Sequence, residues 1–365
     1  MRELLITLAA LGPSQEPPSL ATGAAPSPPP FAVWVDQRRH DVVLRLGPFP
    51  LPANEPEAGA GEHEGHAGMD HSHGSRLPAY RFRWPVAGWG RGFRVEITDE
   101  SGQPLSQRLL HHVNLNHLGR RALAFPTFDR VMAAGQETRG LRLPRTVGIW
   151  IEKGAEMAMT SMWTNETGKD LPGVVMVLTI PYLRETLVPR PVSARPIVLD
   201  IGFRPGLTAG FDLDTGRKEF RREFVFQVDG RLLALGGHLH DYGHSIELRD
   251  GETGEVLVAL KGKLAPDGGL LGVTRKLLAT RGEGLRLRAG HPYVVVARYH
   301  NISGRPISMG GMAALGGLFV PDRADDWPPL DRNDPVYRAE MEGLGVAGWV
   351  EVPESALGSA PGVKR

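Results

Sequence analysis

Residues 231–263, RLLALGGHLHDYGHSIELRDGETGEVLVALKGK, alternate apolar and polar side chains in short runs and break at Asp-Tyr-Gly and Asp-Gly-Glu-Thr-Gly. Alternation with a period of two between such breakers predicts half-buried β-strands joined by tight turns. Within the first run, His238 and His240 stand at i and i+2, on the same face of a strand. Two imidazoles so placed can hold one ion. Gly236 and Gly237 before them are read as allowing close backbone approach, and Asp241 after them as a carboxylate that orients an imidazole from behind.

The same rhythm extends outward in both directions. IVLDIGF, EFRREFVFQV, LRLRAG, YVVVARYHN and GGLFVPD read as further strands, and FAVWVD, DVVLRLGPFPL, YRFRWPV, GFRVEITDE, SQRLLHHVNL and GVVMVLTIPYL do so in the first half. Amphipathic helical stretches are scarce, so the expectation is an all-β chain of two antiparallel sandwiches. The proline-rich PRPVSARP, Pro189 to Pro196, marks the expected boundary. The reading divides the chain into a first sandwich at 31–190, a second at 191–325 and a C-terminal extension at 326–365.

Composition narrows the chemistry. The chain has 365 residues, a net charge of +1 and no cysteine. The near-zero charge gives no field to attract nucleic acid or an anionic membrane. Without cysteine there are no disulfides, thiolate zinc sites, iron–sulfur clusters or thiol nucleophiles, which leaves histidine, methionine and carboxylates as ligands. Leu4 to Leu11 is too short to span a bilayer and reads as a weak secretory core, with a Pro/Ala/Ser tether completing residues 1–30. Export to the periplasm or the extracellular space is the expectation.

Ligand-type residues cluster elsewhere too. His111 and His112 end a strand, and neighbouring strand side chains point to opposite faces, so this pair needs a twist or bulge to share one ion. His117 lies farther along, out of reach of His111 on a straight strand. Met157, Met159 and Met162 in AEMAMTSMWTN are core filler or thioether ligands. A low-complexity insert at 53–75 carries His63, His66, Met69, His71 and His73 between glycines and acids, and reads as a metal-capture loop. ISMGGM, Ile307 to Met312, follows the second histidine pair. Imidazole with thioether is a soft ligand set that suits copper, Cu(I) above all.

With these motifs in order, the chain resembles the ascorbate-dependent type II copper monooxygenases, the family of peptidylglycine α-hydroxylating and dopamine β-monooxygenases. LLHHVNL matches that family's HH element and LLALGGHLHDYG its HxH element. AGHPYVVVARYHN and SMGGMAALGGLFV resemble the strands leading to its ligand methionine, and the likeness covers roughly residues 80 to 320. The resemblance implies two tandem jelly-roll domains and two copper ions, with ascorbate or another one-electron reductant. One ion would sit at His111 and His112 with Met162 in the place of the family's third histidine. The other would sit at His238 and His240 with Met312, Met309 being the alternative. The family's disulfides and its acid beside the ligand methionine are absent. The implied activity is hydroxylation of a C–H bond of an unidentified small molecule. Non-catalytic copper binding for storage, delivery or tolerance is the alternative, and packed, satisfied histidines the third.

Overall fold

The structure, a computed structural model, describes residues 27–54, 75–207, 209–279 and 284–357. These residues form β-sheets and one α-helix, Pro335–Leu344, as the alternation predicts. The helix starts where Asp334 accepts a hydrogen bond from the Val336 amide at 2.8 Å, ahead of a proline in its first turn, a favourable N-terminal arrangement.

Three larger sheets and a two-stranded one carry the fold. A six-stranded sheet brings Leu110–Arg121 between Glu156–Trp163 and Phe128–Gly135. A five-stranded sheet carries Gly216–Val225, Pro292–Asn301 and Gly243–Asp250. The largest, of twelve strands, includes Asp41–Leu51 and Leu171–Arg184 from the first half and Ala313–Pro321 and Gly230–Leu239 from the second. Two apolar cores lie between these layers. Val113, Leu115, Met157, Met159 and Trp163 belong to one, and Leu235, Leu239, Ile246, Leu260 and Leu315 to the other.

Within PRPVSARP, residues from Val192 onward form the strand Val192–Asp200. It pairs in parallel with Val147–Ile151 and antiparallel with Ala313–Pro321, joining the two halves through backbone hydrogen bonds. Antiparallel pairing therefore dominates but is not universal, since Trp349–Glu351 also runs parallel to Ala79–Arg83. Alternation did not reveal these parallel partners because period two reports which face is buried, not the direction of the neighbouring strand.

Candidate metal centre

The HH pair owes its geometry to a bulge. Opposite His112 stands Met162 and opposite Asn114 stands Thr160, but Trp163 pairs with Leu110, so His111 is the extra residue. The insertion breaks the strict alternation that would send adjacent rings to opposite faces. The His111 and His112 Nδ1 atoms lie 3.0 Å apart, with ring centroids separated by 5.2 Å. With metal–imidazole bonds of about 2.0–2.1 Å, that gap would subtend about 95° at a shared ion, so both nitrogens suit one soft cation. Burial, reinforced by the neighbouring His111, Arg130, Arg76 and His238, holds His112 well below the usual histidine range. Its imidazole is thus neutral at pH 7, the form that binds metal.

His238 and His240 flank Leu239, which is 1 % exposed in the second core. The two imidazoles consequently face away from that core, with ring centroids 5.3 Å apart. His240 also lies against His111, centroid to centroid 5.5 Å. The two pairs form one chain of ring contacts, His112, His111, His240, His238, along a cleft of about 270 Å³ that His111, His238 and His240 help to line.

Two further groups fix the HxH pair. The Tyr299 hydroxyl accepts a hydrogen bond from the His240 backbone N–H at 3.2 Å and donates to the Met312 carbonyl. Glu137, in the turn after Phe128–Gly135, places Oε1 2.8 Å from His238 Nδ1. That contact leaves Nε2 as the remaining ring nitrogen and sets the ring's orientation, as carboxylates do behind metal-binding histidines. Burial lowers the His238 pKa, but the Glu137 carboxylate outweighs it and the net shift is upward. Burial likewise opposes ionisation of Glu137, and His238 reverses the balance. Nothing in the alternation pattern singled out Glu137, because a turn acid has no partner until the halves come together.

The other expected ligands have different surroundings. Met157 and Met159 are fully buried in the first core, whereas Met162 is partly exposed on His112's face. Met309 lines the histidine cleft, yet its sulfur lies 3.9 Å from Arg204 Nη2. Met312 does not line the cleft, and the contact that ties it to His240 runs through its carbonyl and Tyr299. His117 is buried away from the pairs, its Nε2 3.1 Å from Glu152 Oε1. Asp241 accepts a hydrogen bond from the Leu270 amide at 2.7 Å and so staples a loop. His63, His66, Met69, His71 and His73 lie outside the described residues, while Asn54, just before them, lines the cleft. Among the described residues no group of three or more His, Asp or Glu is arranged to hold a metal ion. A site here therefore needs thioether or shared ligands, or a small adjustment of the rings.

No protein-family model matches the chain, and no curated protein matches it. Among solved structures it is similar to PNGase F, a glycosylasparaginase from Flavobacterium meningosepticum, at 9% identity with a TM-score of 0.34, over 75% of this chain and 95% of that one. It is similar also to a chain of Sulfolobus turreted icosahedral virus, at 10% identity with a TM-score of 0.34, over 76% and 94% respectively.

Proposed function

We propose that this is a copper-binding protein on the plan of the ascorbate-dependent copper monooxygenases, with two tandem jelly-roll domains and up to two ions at facing histidine pairs. The observation that carries the reading is the continuous contact of four imidazoles between residues from the two halves, at a cleft large enough for a small molecule. In this reading His111, His112 and Met162 hold one ion. His238 and His240 hold the other, with Met312 or Met309 as its thioether. Copper bound there supplies one-electron redox chemistry toward dioxygen. The chain's own residues set the rest: the bulge at His111 aims two nitrogens at one point, and Glu137 fixes the His238 ring. An exported location and an accessory capture role for the histidines of the insert belong to the same proposal, on sequence grounds alone.

Non-catalytic copper binding is the second reading, favoured by Met162. A methionine opposite His112, with His117 engaged by Glu152, gives the first pair a thioether where an electron store would benefit from a third imidazole. Thioether favours Cu(I) and hinders cycling between oxidation states.

Metal analysis of tag-free protein tests the shared reading. Up to two copper equivalents are expected, falling by about one in His111→Ala/His112→Ala and by about one in His238→Ala/His240→Ala. Absence of copper after loading with Cu(I), or no loss in either variant, overturns it. Reductant-dependent oxygen uptake separates the two readings: uptake that rises in Met162→His supports the monooxygenase, and none in either protein supports binding alone.

A further inference from the structure

We propose that a second groove, next to the histidine cleft, binds a small flat apolar carboxylate of about one aromatic ring. Its position follows from the strand Gly216–Val225 at the edge of the five-stranded sheet, where alternation puts Phe220, Arg222 and Phe224 on one face. Phe224 enters the second core, whereas Phe220 and Arg222 are only half-buried. The resulting groove of about 430 Å³ is lined by Phe203, Phe211, Phe220, Arg204, Arg222 and Met309, among others. That volume falls in the range of sites for small organic molecules.

The walls are built for a flat ring. Phe211 packs against Phe220, tilted by 31° with centroids 4.0 Å apart, and Phe203 stacks on Phe125 at 3.8 Å. Phe203, Phe211 and Phe220 all remain partly open to water, so a ring packing against their open faces removes apolar surface that the fold leaves wet. The Arg222 guanidinium lies 5.3 Å from the Phe125 ring centre, and its Nη1 donates to the carbonyls of Phe203 and Ile201 at 2.6 and 3.4 Å. Stacked and tethered in this way, it presents a planar cation at low further entropy cost.

The charge balance selects an anion. Two guanidinium groups, Arg204 and Arg222, line the groove against a single carboxylate, Asp212. Asp212 Oδ1 is already engaged by the Met309 amide at 2.9 Å and the Ser308 hydroxyl at 3.3 Å. Among the described residues Arg222 has no carboxylate within salt-bridge distance. Its Nη1 is taken by two carbonyls and the buried Asp200 acts on it only at longer range, so a ligand carboxylate supplies a charged acceptor in direct contact, and guanidinium–carboxylate pairing is strong and directional. The phenylalanine walls disfavour a heavily hydrated dianion such as phosphate.

Met309 connects this groove to the first. It lines both and has a φ of 50°, a backbone conformation uncommon outside glycine that often marks functional loops. A bound acid would thus lie one side chain away from the histidines. The assignment itself does not depend on metal.

Calorimetric titration of the full chain, both chelator-treated and copper-loaded, with 3-phenylpropionate, 3-phenylpropionamide and acetate tests it. Saturable one-to-one binding of the acid is expected in both forms, with the amide at least about tenfold weaker and acetate showing no binding. Arg204→Gln and Arg222→Lys should each weaken the acid about tenfold and leave the amide unchanged. Because Arg222 also tethers two carbonyls, thermal melting checks that its variant folds, and Arg204→Gln at its exposed position decides the matter if it does not. Equal affinity for acid and amide, no saturable binding of the acid, or wild-type affinity in Arg204→Gln overturns the proposal.

Discussion

Glu137 Oε1 and His238 Nδ1, 2.8 Å apart, link the turn after one HH-sheet strand to the HxH strand of the other half. Arg275 strengthens the same junction by donating to the Gly140 carbonyl at 3.1 Å. The carboxylate therefore acts on the histidine in two ways, by fixing its ring and by holding the strand that carries it against the first half.

Glu137→Gln tests this directly. The amide keeps the shape but removes the charge and can donate as readily as accept, so the His238 tautomer is no longer dictated. Copper affinity at the His238/His240 pair should fall about 10- to 100-fold, the usual consequence of losing such a partner. Affinity at His111/His112 should change much less. Competition titration with a chromophoric Cu(I) chelator reads both, and unchanged affinity at the HxH pair would show that Glu137 does not orient a ligand.

His117 gives the fold an acid sensitivity unrelated to metal. Burial, with Arg120 adding and Glu152 opposing, lowers its pKa from 6.5 to about 4. Between those values the unfolded chain binds a proton that the folded chain refuses, so stability falls as pH drops from about 6.5 to 4 and then levels. The full shift corresponds to about 3 kcal/mol. Urea midpoints measured from pH 7.5 to 4 should show this slope in the wild type and a shallower one in His117→Gln. Identical slopes would assign the acid sensitivity to other groups.

The glycines before His238 differ. A Cβ at Gly237 would lie 2.8 Å from Val273 Cγ1 and 2.9 Å from Ile246 Cγ2, whereas at Gly236 the nearest heavy atom is 3.7 Å away. Gly237→Ala should therefore cost about 1–3 kcal/mol through overpacking. Gly236→Ala should stay within about 0.5 kcal/mol of wild type. Thermal melting of the two variants side by side checks the contrast, and similar melting points would mean that Val273 and Ile246 yield without cost.

Local features were legible in the sequence, and relations between distant segments were not. Apolar alternation located the strands around His238, and the stereochemistry of adjacent strand residues asked for a twist or bulge if the HH pair is to share one ion; a bulge lies at His111. The same reasoning kept His117 away from the pair. Met162 opposite His112 follows the expected strand pairing. Glu137, Tyr299 and the pairing of Val192–Asp200 with Val147–Ile151 arise from tertiary contacts between distant segments, which carry no local period. An acid after HxH is as able to cap a loop as to orient an imidazole, and the Leu270 amide bonded to Asp241 belongs to a distant segment that no local period announces. The polar insert fixes nothing by pattern, since low apolar content specifies no packing partner.

The C-terminal segment completes the edge of the six-stranded sheet, with one strand between it and Glu156–Trp163. Trp349–Glu351 pairs with Ala79–Arg83, and the Gly343 carbonyl accepts from Arg76 Nη1 at 3.2 Å across 267 residues. Arg76 in turn is the strand partner of Met162. On the ribosome, the HH strand thus emerges well before the sheet around it can close, by on the order of ten seconds at ordinary elongation rates. For that interval the Ala79–Arg83 strand is an open, association-prone edge. Substitutions that weaken the short Trp349–Glu351 strand would leave that edge open in the finished protein as well.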